Sequence, residues 1–229
     1  LDDGKVYAWG QGIVGAGIAT SASPALQVAT GATAVSAGCG FALMLLSSGA
    51  VLGVGSLGLN SSALTSVSLG VYSIAGLPFA SAIAAGCQHA LVIESGTGTI
   101  YAWGSNDAGQ LGAPPSDLGG DGSSWQLPYA LNTSWMGAAT AVAAGRYHSL
   151  ALRASDGHVC AWGSNVRLQL SSVMVATATT ATGYSAAPCM QINDTTSSTA
   201  VTISSLAAGH EHSLAITSDG RLFAWGKGS

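Results

Sequence analysis

Histidine returns in this chain at a fixed place in a repeating phrase. His89 stands before Ala-Leu, and His148 and His212 each stand before Ser-Leu, with His210 two residues ahead of the last of them. Imidazoles in equivalent slots of successive units can do one of two things. They can hydrogen-bond the backbone once per unit, or converge on an axis as a ring of metal ligands. His210-Glu211-His212 would put two ligands on one face of a strand, but no cysteine or further carboxylate is placed to complete a set, so the pattern favours structural hydrogen bonding. The cysteines Cys39, Cys87, Cys160 and Cys189 lack metal-ligand spacing. Cys160 and Cys189 fall in one unit and are a possible disulfide, whereas Cys39 and Cys87 fill the same slot of adjacent units and read as small buried side chains. No nucleophile elbow, phosphate-cradling loop or paired acids accompany the many serines and histidines, so the chain reads as a non-enzyme that calls for no cofactor and no metal.

Three asparagines fit the N-glycosylation acceptor rule, Asn60-Ser-Ser, Asn132-Thr-Ser and Asn193-Asp-Thr. The alternative is coincidence in a chain rich in Ser and Thr. Charged residues make up only 7% of the sequence, with a formal net charge of -4. The cations Lys5, Arg146, Arg153, Arg167, Arg221 and Lys227 are never neighbours, which excludes a basic run for nucleic acid. Between Lys5 and Glu94 no residue is charged. A surface so neutral is expected to be covered by hydroxyls, glycans or neighbouring protein. The apolar stretch from Val35 to Leu59 is long enough to span a bilayer, but it stays in register with repeats that elsewhere carry Arg146 and Glu211, so no membrane span is expected.

The elements that must position these residues are repeats. Gly4-Lys-Val-Tyr-Ala-Trp-Gly10 returns as Gly98-Thr-Ile-Tyr-Ala-Trp-Gly104, Gly157-His-Val-Cys-Ala-Trp-Gly163 and Gly220-Arg-Leu-Phe-Ala-Trp-Gly226, with a worn copy at Gly49-Ala-Val-Leu-Gly-Val-Gly55. A second phrase precedes each later copy: Ala37-Gly-Cys-Gly-Phe-Ala-Leu43, Ala85-Gly-Cys-Gln-His-Ala-Leu91, Ala144-Gly-Arg-Tyr-His-Ser-Leu150 and Ala208-Gly-His-Glu-His-Ser-Leu214. Both phrases alternate with period two and predict strands. Asp156-Gly157 and Asp219-Gly220 supply the positive φ of tight turns between them. The Ala-Gly pair lets backbones approach closely near an axis. Trp9, Trp103, Trp162 and Trp225, once per unit, read as packing between units. Trp125 and Trp135 lie outside the repeat, on the insertion between Pro114 and Ala138, and read either as a partner contact or as cover for that insertion's own small core.

Tyr101-Ala-Trp-Gly-Ser-Asn-Asp-Ala-Gly-Gln-Leu-Gly112, followed by Val142-Ala-Ala-Gly-Arg-Tyr-His-Ser-Leu150, resembles the regulator of chromosome condensation repeat family, and the resemblance covers nearly the whole chain. It implies an all-β fold, a β-propeller of four-stranded antiparallel blades, usually seven in this family. The repeat units run 4–48, 49–97, 98–156 and 157–219, with a partial unit 220–229, so residues 1–229 are expected to form one incomplete propeller. The neutral surface and the sequons lead to a non-catalytic scaffold of an extracellular or cell-surface glycoprotein, binding protein partners or neighbouring domains of one assembly. The alternative is an intracellular regulator, such as an exchange factor or signalling scaffold for a small GTPase, or an accessory subunit of an organellar or ciliary complex.

Overall fold

The computed structural model describes residues 4–9, 26–59, 61–68, 70–112, 124–131, 134–170, 189–193 and 200–228. Asn60, Asn132 and residues 113–123 of the insertion lie outside the described residues. The described chain is built from antiparallel strands and one short 3-10 turn, Ser61–Ala63. β1 (Val6–Ala8) pairs with β2 (Leu26–Ala29). β3 (Ala32–Ala37), β4 (Phe41–Leu46), β5 (Val51–Gly55), β6 (Leu64–Ser68) and β7 (Val71–Ile74) form the first full sheet in the order β3-β4-β5-β7-β6. β8 (Ala80–Ala85), β9 (His89–Glu94), β10 (Ile100–Ser105) and β11 (Ser124–Ala130) form the second in simple succession. β12 (Ala139–Ala144), β13 (His148–Arg153) and β14 (Val159–Gly163) form the third, to which Met190 adds a bridge at Val159. The fourth holds β15 (Ile203–Ala208), β16 (His212–Thr217) and β17 (Leu222–Gly226).

The Ala-Leu phrase closes the first strand of a sheet and opens its second, and the Ala-Trp phrase gives the third. Gly157 and Gly220 take the positive φ, 70° and 86°, that the Asp-Gly turns require. The repeat units counted along the sequence are out of phase with the sheets: unit 49–97 holds the last strands of the first sheet and the first two of the second. Val35–Leu59 contributes β3, β4 and β5, and no helix of the described residues is long and apolar enough to cross a membrane.

The first strands β3, β8, β12 and β15 neighbour one another in order, as inner strands gathered round an axis do. Close approach there explains the Ala-Gly pairs, because a Cβ on Gly145 would sit 2.6 Å from Gly209 O of the next sheet and 2.3 Å from the His148 ring. The sheets stack face to face, and alternate residues of one strand feed two different cores. Phe41, Leu43, Ala90, Val92 and Trp103 fill the space between the first and second sheets. Leu91, Ile93, Ala102, Ala151 and Trp162 fill the next space, and Leu150, Leu152, Val159, Ile203 and Ala215 the one after it. Strands β9 and β13 are consequently buried over all but their last residue.

Candidate functional site

The repeat histidines are part of a hydrogen-bonded lock between successive sheets. His89 Nε2 lies 2.9 Å from Ser149 Oγ of the following sheet. Ser149 donates its hydroxyl proton to Gln110 O at 2.7 Å. A hydroxyl has one proton to give, so the imidazole is the donor in the first bond and His89 carries its proton on Nε2. Trp162, cross-strand partner of Ser149, donates Nε1–H to the same carbonyl at 2.8 Å. The arrangement repeats one sheet on, where His148 Nε2 is 3.0 Å from Ser213 Oγ. Ser213 and Trp225 then share Gln169 O at 2.7 and 2.9 Å.

The acceptor carbonyls are held in place by their own loops. Gln110 Oε1 accepts from Ala108 N, and Asn106 Oδ1 accepts from Leu111 N. Gln169 and Asn165 repeat both bonds with Arg167 N and Leu170 N. Arg167 and Leu168 stand where Ala108 and Gly109 stand one unit earlier, so the loss of that glycine leaves the loop's hydrogen bonds intact. Leu168 instead takes φ 61°. At the first junction the lock is simpler. Phe41 stands in the histidine slot and packs in one cluster with Ala90, which stands in the serine slot, while Trp103 Nε1 donates to Leu57 O at 2.9 Å.

Burial holds the His89 imidazole down to about 3, with a smaller contribution from His148, and holds His148 down to about 4, with a contribution from His212. The cause is visible in the geometry: Nδ1 of each ring is buried without a hydrogen-bond partner, so a second proton would find no acceptor. His89 and His148 are neutral rings that donate from Nε2. Among the described residues no three His, Cys, Asp or Glu side chains gather as a metal set.

Trp103 and Trp162 are fully buried and Trp225 is half-buried, as packing residues. Trp9 is 69% exposed, and among the described residues its sheet holds β1 and β2. Trp135 lies edge-on against Trp162, with centroids 5.9 Å apart, and joins the core between the second and third sheets. Trp125 pairs through its backbone with Gly104. Asn193 is exposed and bridges Ala200.

Cys160 and Cys189 are joined in a disulfide. So are Cys39 and Cys87, against the reading that two cysteines in one slot of adjacent units are too systematic to pair. The slot follows the Ala-Gly pair, at the place where neighbouring inner strands converge, and equivalent Cα atoms of the first and second sheets come to 4.4 Å. In the next two sheets the same slot holds Arg146 and His210, whose side chains touch.

That contact belongs to a cluster sequence reasoning missed. The starts of the second strands and the ends of the third strands share one rim, since His89, His148 and His212 are cross-strand to Gly104, Gly163 and Gly226. On it Arg146 lies 4.8 Å from the Tyr147 ring, and Lys227 bonds Glu211 at 2.8 Å. The Lys227 hydrogen bond holds the Glu211 carboxyl below its usual range, helped by the nearby charges of Lys227, Arg167 and His210. The other charged pairs, Arg153 with Asp156 and Arg221 with Asp219, lie at the hairpins of the opposite rim. No single stretch of sequence contains this cluster; the repeat period was the signal, because these residues occupy or flank equivalent slots.

Regulator of chromosome condensation (RCC1) repeat models match residues 80–110, 139–169 and 203–229, and residues 97–152. Protein pim1 of Schizosaccharomyces pombe is 30% identical over 145 residues, 63% of this chain and 26% of pim1. The mitochondrial RCC1 domain-containing protein RUG3 of Arabidopsis thaliana is 28% identical over 149 residues, 65% of this chain and 30% of RUG3. The chain therefore spans under a third of the length of these relatives. Among solved structures, Prp20p of Saccharomyces cerevisiae, described with its binding to Gsp1p and histones, superposes with a TM-score of 0.70 at 21% identity, over 97% of this chain and 54% of that one. A mitochondrial relative and a histone-binding one overturn the extracellular or cell-surface location expected from the neutral surface. The glycoprotein reading, which rested on the three sequons and the neutral surface together, is not supported by these relatives. With its phrases, blade order and sheet topology in agreement, the chain belongs to the RCC1 repeat family.

Proposed function

We propose that this chain is a non-catalytic, protein-binding propeller segment of an intracellular regulator, in the class of exchange factors and signalling scaffolds for small GTPases. The observation that carries this reading is the rim cluster of Arg146, Tyr147, Arg167, His210, Glu211 and Lys227. In a chain that is only 7% charged, mixed charge and an aromatic ring gather at one place on a rigid base. Mixed charge on such a base suits a protein partner, which can answer both signs, and steers encounter and specificity. The buried histidines support a non-catalytic role, since their donors are used between blades. The pairing of Prp20p with Gsp1p and histones agrees with protein partners for this rim.

The test is binding of the purified chain to a panel of small GTPases, with release of a fluorescent guanine nucleotide as the second readout. Arg146→Glu and Lys227→Glu are expected to weaken binding about tenfold or more, and Arg153→Glu on the opposite rim to leave it unchanged. Binding that is indifferent to both rim reversals rejects the rim. RUG3's mitochondrial designation favours a second reading, an accessory subunit of an organellar complex, which predicts no nucleotide release from any member of the panel.

A further inference from the structure

The two disulfides differ in what a dissolved reagent meets. Cys160 is fully buried in the core between the second and third sheets, and Cys189 packs against that core. Cys39, by contrast, is exposed and Cys87 is half-buried. Cys39 stands between Gly38 and Gly40, so neither chain neighbour has a side chain to shield its sulfur.

The exposed bond borders two open clefts. One, of about 460 Å³, is lined by Cys39, Cys87, Ser56, Gln88 and Ser105, a volume within the range of small-molecule sites. The other lies where the inner strands converge, and there Cys39 and Cys87 share the lining with Arg146 and His210. Cys87 N donates to Gly145 O at 3.1 Å, which fixes Cys87 next to the residue that precedes Arg146. A guanidinium on the same cleft favours the thiolate form of Cys87. The disulfide also has no sole charge of its junction. Ala85 N donates to Ser36 Oγ at 2.9 Å, Ala80 N donates to Gly49 O at 2.7 Å, and Leu43, Val92 and Trp103 form one core across the first and second sheets. The bond can therefore open while the sheets stay packed.

We propose that Cys39–Cys87 is a thiol-exchange site for a low-molecular-weight thiol of the glutathione class, which becomes attached to Cys39. The thiolate of the small molecule attacks Cys39 Sγ, the more accessible sulfur. A new S–S bond forms there as the Cys39–Cys87 bond breaks, and Cys87 Sγ leaves with the electron pair as a thiolate on the cleft that holds Arg146. The attacking sulfur is oxidised and Cys87 is reduced, so no further oxidant or reductant enters, and Cys87 takes a proton from water when it is protonated. Attack by Cys87 on the mixed disulfide expels the small thiol and restores the bond. Exchange rates rise with access to the attacked sulfur and as the leaving thiol becomes more acidic, and both conditions are met at this bond and not at Cys160–Cys189.

The test incubates the purified chain with reduced glutathione, blocks free thiols with iodoacetamide at timed intervals, and maps chymotryptic peptides by mass spectrometry. Glutathione is expected on Cys39 with the alkyl group on Cys87, at a rate about tenfold or more above any opening of Cys160–Cys189. Arg146→Gln is expected to slow the exchange about threefold, Arg146→Lys to restore it, and Arg153→Gln on the opposite rim to leave it unchanged. Circular dichroism of the adduct is expected to match that of the parent. Glutathione found on Cys87, equal rates at the two disulfides, or exchange that begins only in denaturant overturns the proposal, and an Arg146→Gln rate equal to the parent's overturns the part given to Arg146. The readout involves no GTPase, so its outcome is independent of the partner assigned to the rim.

Discussion

Lowering the pH from 6 to 4.5 should destabilise this protein through two buried residues. His89 and His148 are neutral in the folded state, held at about 3 and about 4 by burial, and titrate near 6.5 once unfolded. A base whose folded value is depressed stabilises the fold fully above its unfolded value. That stability is lost as the pH falls from 6.5 towards the folded value, because only the unfolded chain takes up the proton. Two such imidazoles give a limiting slope of about 2.7 kcal/mol per pH unit, and integrated from pH 6 to 4.5 they remove about 3.5 kcal/mol, a large share of a typical domain's stability. Asp156 and Asp219, held at about 2 mainly by hydrogen bonds from Arg153 and Arg221, work with the same sign but lower down, as the pH drops through the ordinary carboxylate range near 3.8. Urea unfolding at several pH values measures the slope. A His89→Gln and His148→Gln double variant, whose amide N–H groups can still donate to Ser149 and Ser213, is expected to lose most of the pH dependence above 4.5. A double variant as acid-labile as the parent would refute the assignment of the slope to these rings.

Three further outcomes follow from the same contacts. Trp103→Phe should destabilise more than Trp162→Phe by about 1 kcal/mol in denaturant unfolding, because Gln110 O keeps the Ser149 hydroxyl whereas the slot beside Trp103 holds Ala90. Gly163→Ala should cost more than about 2 kcal/mol by the same measurement, since its φ is +96° and the added Cβ would meet Tyr147 O at 2.5 Å. Reduction should lower the melting temperature in two separable steps: Cys39–Cys87 and Cys160–Cys189 span 48 and 29 residues, worth about 4 and 3.5 kcal/mol of unfolded-chain entropy. Cys39→Ser and Cys160→Ser, each compared with the parent in reductant, assign the steps, and a melt unmoved by reductant contradicts both bonds.

Much of the fold was legible because two phrases recur with period two and fixed order, and period two leaves little choice but strands. The repeat histidines were expected to hydrogen-bond the backbone; His89 and His148 instead meet serine hydroxyls of the next sheet, and only those serines reach a carbonyl. What could not be read directly was the acceptor. The lock closes on the backbone carbonyls of Gln110 and Gln169, and a carbonyl has no letter of its own. A trace did exist: Phe-Ala-Leu, His-Ala-Leu, His-Ser-Leu and His-Ser-Leu in successive units change their second residue one unit after their first. The Cys39–Cys87 bond was misread because sequence separation conceals that equivalent slots near an axis are spatial neighbours. The compartment was misjudged by reading scarce charge and sequons as marks of a secreted surface, which the relatives overturn.

The phase offset between repeat units and sheets bears on how such a chain can change over generations. A duplication that begins and ends at the Ala-Trp phrases carries the third strand of one blade together with the first two strands of the next, so the copied piece always brings a histidine slot and the preceding acceptor loop as one inheritance. Inserted into the array, it must match its neighbours at its serine slot, at its histidine slot and where its tryptophan meets the preceding loop. Each new junction falls under the pairing seen here, alanine after phenylalanine or serine after histidine, so a single codon change at that slot can fit a copied blade to its neighbour.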